Sequence, residues 1–213
     1  MHLVRLLSVV ILSILSVFAV AEVNTKDPSA MLQQVATETL DKISKMEGSP
    51  ADNPDALKTI VVNDLLPHVD YVWASYKVIG PAIRETSKEQ RAAFADAFKN
   101  YMVGTFTLLF KQYDPARHVI QFDQVRIPGQ IPARFVEAGK PDITLIFYVR
   151  ENKKTGDWKV WDLAAQGISQ VETKHKEFKP LIRQHGLDYV TTELNAKVNK
   201  GLAEEELSGF QND

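Results

Sequence analysis

The 213-residue sequence contains no cysteine. That excludes disulfides, thiolate chemistry and a lipidated cysteine behind an export signal, so stability must rest on packing. Net charge is also nearly absent. The 25 Lys and Arg against 27 Asp and Glu leave −2, which gives no electrostatic footprint for nucleic acid. Histidine is sparse beyond the first turn of chain. His68, His118, His175 and His185 include no pair at the i, i+4 spacing of a helical zinc site, and no HExxH occurs, so no metal centre and no cofactor is predicted. Glycine never clusters into a GxxxxGK phosphate loop, since Pro128-Gly129 stands alone. Gly167-Ile168-Ser169 lacks the second glycine of a nucleophile elbow, which leaves Ser169 as a helix cap. Internal repeats and low-complexity linkers are missing too.

What is present begins with an export signal. Met1 to Arg5 is a short basic segment, Leu6 to Phe18 is apolar, and Ala19-Val20-Ala21 is a small-x-small cleavage site before Glu22. Residues 1–21 are read as a cleaved signal peptide, which predicts a soluble mature chain in an exported compartment. Cleavage removes one Arg and no acid, so 24 basic and 27 acidic residues leave −3. Residues 22–200 are enough for one domain with its own core. Residues 201–213, with Glu204-Glu205-Glu206, read as a flexible acidic tail.

Along that domain, helices come first. Asp27-Pro28 and Asn53-Pro54 each pair a cap with a first-turn proline. They open stripes at Leu32, Val35, Ala36, Leu40 and Ile43, then at Leu57, Ile60, Val61 and Leu65. Val69 to Ile79 is a third helical pattern, stopped by Gly80-Pro81. Thr86 or Ser87 caps a long helix reaching Tyr113. Four short runs follow, His118–Arg126, Ile131–Val136, Ile143–Arg150 and Trp158–Ala165, separated by turn residues as in an antiparallel meander. Ser169 then caps a helix from Gln170 towards Gln184, where Pro180 predicts a kink or split near Glu177. A last helix covers Leu187 to Lys200. The order predicts an α+β domain.

The long helix is the most informative stretch. Phe94, Phe98, Tyr101, Thr105 and Leu109 form one stripe, and Met102, Phe106 and Phe110 form a second beside it. A surface helix needs one stripe, so this one requires cover on several sides, by protein or by an apolar ligand. Among the acids beside apolar runs, Asp162 is the candidate general base for a rival reading, a small isomerase or hydrolase with a carboxylate in its cavity. Lys174, His175, Lys176, Lys179 and Arg183 form a basic patch suited to phosphate headgroups, to an acidic partner, or simply to water.

Several segments together resemble a known family. Leu66-Pro67-His68-Val69-Asp70-Tyr71, Ile79-Gly80, Gln90-Arg91 with Phe94 and Phe98, and Tyr113 follow the pattern of the periplasmic MlaC-type phospholipid-binding proteins, also called the toluene-tolerance family. Gly156-x-Trp158-Lys159-Val160-x-Asp162-Leu163, Gly167-Ile168-Ser169, Phe178 and Gly186-Leu187 continue it. Where the family commonly has an Asn-Tyr-Arg-like segment, this chain has Thr173-Lys174-His175. The resemblance implies a curved four-stranded antiparallel sheet surrounded by helices, similar to the nuclear-transport-factor-2 type. It implies a periplasmic carrier, not an enzyme. Such a carrier moves phospholipid between an outer-membrane lipoprotein complex and an inner-membrane ABC-transporter complex, and so maintains outer-membrane lipid asymmetry. Acyl chains would enter between sheet and helices. The expected lining is Phe94, Phe98, Tyr101, Met102, Phe106 and Leu109 from the long helix and Leu145, Phe147 and Val149 from the sheet. Val69 and Trp73 would close one end, with Ile168 and Phe178 at the mouth.

Overall fold

A computed structural model describes residues 22–202 and Leu207. The expected signal peptide and the Glu204-Glu205-Glu206 run lie outside the described residues. Among the described residues, six α-helices and five strands follow one another as α1 (Pro28–Ser44), α2 (Pro54–Ile60), α3 (Tyr71–Ile79), α4 (Lys88–Lys111), β1 (His118–Phe122), β2 (Gln130–Glu137), β3 (Ile143–Glu151), β4 (Trp158–Ala165), β5 (Ile168–Ser169), α5 (Gln170–His185) and α6 (Leu187–Lys200). The strands form one curved antiparallel sheet in chain order, β1-β2-β3-β4-β5. This is the expected α+β meander with one strand more. β5 is only two residues long, pairing Ala164 with Ser169 and Ala165 with Ile168, too short to leave an alternating pattern in sequence.

Local chemistry accounts for most boundaries. The Asp27 carboxylate accepts from the Ser29 and Ala30 amides at 2.9 and 3.0 Å and starts α1. Ser87 and Gln90 form a reciprocal capping box at α4, with each side chain accepting from the other's backbone amide. Asp70 accepts from the Trp73 amide at 3.0 Å and begins α3. Asn53 does not cap α2. Its amide nitrogen donates instead to the carbonyls of Glu47 and Ser49. Beyond Ile60 the second helix does not continue as an α-helix. It loosens into a π-helical turn at Val61–Leu65 and tightens into a 3₁₀ turn at Leu66–His68, where Pro67 ends it. α5 runs through Pro180 without the expected split. The proline withholds one amide from the Lys176 carbonyl, and Phe178 and Ile182 are buried on either side of it.

Two apolar clusters result. Helices α3 to α6 bury Val78, Phe94, Phe98, Phe178, Leu187, Val190 and Leu194 among themselves. Met31, Leu32 and Val35 of α1 pack on Ile131 and Val149 of the sheet. The backbone of α4 packs closest on α6, α3 and α2 rather than on a strand. Inside the segment expected to be a flexible tail, the Leu202 side chain fills the space above Gly104, where an added Cβ would stand 2.7 Å from its Cδ1. Leu207 is fully buried.

Candidate functional site

A partly open cavity of about 80 Å³ lies where α4, α5 and β4 come together. Its α4 wall is Phe98, Tyr101, Met102, Thr105 and Phe106; its sheet wall is Val160 to Leu163; Gln170, Val171 and Lys174 come from α5, and Val69 from the segment before α3. The surface is almost wholly apolar.

A β-bulge builds the sheet wall. Tyr148 pairs with Asp162 but Val149 pairs with Val160, so Trp161 is an extra residue in β4. Bulging aims a large ring into the cavity, braced by Tyr148 at a centroid distance of 5.7 Å. Val69 is fixed at the same point through a parallel bridge to Val160, and the Asp70 amide donates to the Val160 carbonyl at 2.7 Å.

The lining is divided along α4, not around it. As far as Thr105, the helix buries Phe94, Ala95, Ala97, Phe98, Tyr101, Val103 and Thr105. From Phe106 to Phe110 every residue is only half-buried. Both expected stripes therefore contribute to the cavity, which begins where protein cover over the helix thins out.

Of the residues expected to line it, Val69, Phe98, Tyr101, Met102 and Phe106 meet at the cavity. Phe94 and Phe178 lie deeper, packed edge to face at 6.3 Å in the helical core. Trp73 points outward, with the Arg150 guanidinium 4.4 Å and the Lys77 ammonium 5.0 Å from its ring. Ile168 is 53% exposed on β5. Leu109 is half-buried, beyond the cavity wall. Leu145, Phe147 and Val149 pair with Ala165, Leu163 and Val160. None of the three lines the cavity; Phe147 and Val149 pack instead in the cluster that α1 makes with the sheet. Phe147 meets Phe122 there at 6.1 Å.

Asp162 is 6% exposed and borders the cavity. One carboxylate oxygen accepts from the amides of Leu163 and Val171 at 2.8 and 3.0 Å, and the other from the Ser169 hydroxyl. Burial raises its carboxyl above the ordinary value, while these donors pull it back. Its lone pairs serve the start of α5, and the expected cap is also there, Ser169 Oγ accepting from the Glu172 amide at 2.9 Å. An acid committed in this way is a poor general base.

Residues 33–196 match the family described as MlaC protein. The chain belongs to the MlaC family. A relative from Haemophilus influenzae, named intermembrane phospholipid transport system binding protein MlaC, is 29% identical over 188 residues, 85% of this chain and 86% of its own. A phospholipid-binding protein from Ralstonia solanacearum, solved in complex with a phospholipid, matches this structure with a TM-score of 0.71 at 18% identity, over 81% of this chain and 99% of that one. The likeness establishes a common fold.

Two of the five basic positions leave the expected patch in this MlaC family member, while Lys176, Lys179 and Arg183 stay exposed on α5. Lys176 faces out towards Glu172, whereas the His175 Nδ1 hydrogen-bonds the Val78 carbonyl at 2.8 Å and its ring lies against Gly80. Lys174 turns inward, its side chain 15% exposed, into the cavity wall. A sequence signal for this existed. Val171, Lys174, Phe178 and Ile182 share one stripe of α5, and the other three are buried. Trp161 and Leu163 were legible as strand residues, but only the bulge brings them and Val160 to one wall.

Proposed function

We propose that this MlaC family member is a periplasmic phospholipid carrier, residues 22–200 forming the carrier domain released by cleavage of residues 1–21. The observation that carries the reading is the apolar cavity at the point where α4 loses its protein cover. A buried methylene is worth about 0.8 kcal/mol, so a long acyl chain forfeits on the order of 10 kcal/mol in water. A carrier must return nearly all of that, and only an enclosing apolar wall can. The partners are an outer-membrane lipoprotein complex and an inner-membrane ABC-transporter complex, and the outcome is retained lipid asymmetry. The names of the Haemophilus relative and the Ralstonia neighbour support this reading.

At roughly 10–15 Å³ per water-sized group, a cavity of about 80 Å³ holds about five to eight such groups. An acyl chain of about sixteen carbons needs more, so loading parts α4 from β4 along the half-covered segment. The test is native purification from a periplasm, organic extraction and mass spectrometry. The expected result is co-purified phospholipid near stoichiometry. Folded protein that carries none, and takes none from vesicles, ends the proposal.

A further inference from the structure

Among the described residues that line the cavity, Lys174 alone carries positive charge. Its position is unusual for a lysine. The ammonium lies 4.9 Å from the centre of the Tyr101 ring and 6.0 Å from that of Phe178. It hydrogen-bonds the Tyr101 hydroxyl and pairs with Glu177 at 2.8 Å. Burial alone would pull the amine down, but Tyr101 and Glu177 more than offset this and hold it protonated. A cavity for acyl chains alone has no use for such a group. Methionine would fill the same space without the cost of desolvating a charge. Nor does the ion pair need this setting, because Lys176 makes its pair with Glu172 out in water. The other polar groups on the wall are already engaged. The Thr105 hydroxyl donates to the Tyr101 carbonyl, and Asp162 holds the start of α5.

Resting on the carrier reading, we propose that Lys174 and the Tyr101 hydroxyl seat the ligand's phosphodiester, so that the cavity selects a phosphate-bearing lipid over a neutral glyceride with the same chains. The incoming anion takes the place of Glu177 beside the ammonium by ion-pair exchange, without any covalent step. Glu177 is not stranded, because Lys197 lies 3.8 Å from its other oxygen. Charge is therefore matched before and after loading, and the exchange is reversible, as a carrier requires.

The test offers delipidated full-length protein an equimolar mixture of dioleoylphosphatidylglycerol and dioleoylglycerol in non-ionic detergent micelles. Mass spectrometry then reads the ratio of the two lipids on the recovered protein. Wild type is expected to enrich the phospholipid about tenfold. Lys174→Met should bring the ratio to near one while total lipid stays high; Lys174→Arg should keep the preference. Glu177→Gln, which removes the competing carboxylate, should raise the ratio. Excess inorganic phosphate should leave it unchanged, since without chains the anion has little hold. A Lys174→Met protein that binds lipid at the wild-type ratio overturns the inference and leaves the carrier standing. Wild type that binds neither lipid overturns both.

Discussion

Replacing Phe106 by Asp separates lipid binding from folding. Phe106 is half-buried and lines the cavity. Its loss removes about half of a full phenylalanine burial, about 1–2 kcal/mol of fold stability. The new carboxylate stays wetted while the cavity is empty. At 2–4 °C per kcal/mol for a domain of this size, the melting temperature should fall by about 2–8 °C. Loading is affected far more. An acyl chain seated there would lose the ring contact and strip water from a charge, together at least about 3 kcal/mol, or over a hundredfold in affinity. The control is Phe94→Ala. Phe94 is fully buried, stacked on Phe98 at 6.0 Å and edge-on to Phe178. It should cost about 3–5 kcal/mol, or about 6–20 °C, and the protein that remains folded should still load. The assay combines thermal unfolding with lipid uptake from vesicles, quantified on the folded fraction. If Phe106→Asp loads like wild type, or if the two variants lose loading in proportion to lost stability, the cavity is ordinary core. Phe98→Asp is unsuited to this comparison, because Phe98 is 4% exposed and stacked between Phe94 and Tyr101, so it serves both purposes.

Four further outcomes follow from the geometry. Asp162→Ala leaves the Leu163 and Val171 amides without their acceptor and should cost about 2–4 kcal/mol in chemical denaturation. Because burial raises the Asp162 carboxyl, its contribution is fullest at pH below the unfolded value and is lost as pH rises through the folded one. The stability gap between wild type and Asp162→Asn should therefore be wider at pH 4 than at pH 7. His68 behaves in the opposite sense. Burial, then Lys159, lowers it from 6.5, so its contribution is full above that value and is lost as pH falls towards the folded one. Wild type should lose more stability between pH 7 and pH 5 than His68→Gln does. Gly80→Ala places a Cβ at a φ of +63° and 2.5 Å from the His175 ring, and should cost about 1–3 kcal/mol. Adding His175→Ala should return part of that loss, a coupling that a double-mutant cycle measures.

The sequence carries its local grammar openly. Asp27, Ser87 and Ser169 announce helices because each cap needs only residues two or three positions away. The strands announce themselves by alternation. What stays hidden is decided across long separations. No local pattern shows that Trp161 is an extra residue, because a bulge exists only relative to the partner strand. The inward turn of Lys174 is hard to see among five basic positions, although its stripe mates Val171 and Phe178 are apolar. Trp73 looks like a core aromatic until Arg150, from a strand far along the chain, covers its ring. Asp162 looks like a free acid until the two-residue strand β5 folds back and delivers Ser169 to it.

The bulge at Trp161 has a consequence for shape. Between Tyr148 and Val149, β3 advances by one residue while β4 advances by two. Two ribbons bonded side by side but unequal in length must bend, as a bimetal strip does, with the longer one on the outside. One surplus residue adds about 3.3 Å of path. The bend is thus written as a count of residues, not as a set of side chains. Substitution can change what the hollow contacts, but only insertion or deletion changes its depth. Removing residue 161 would let Tyr148–Asp162 and Val149–Val160 run on as a regular ladder, flattening the strip while every other pairing stayed in place.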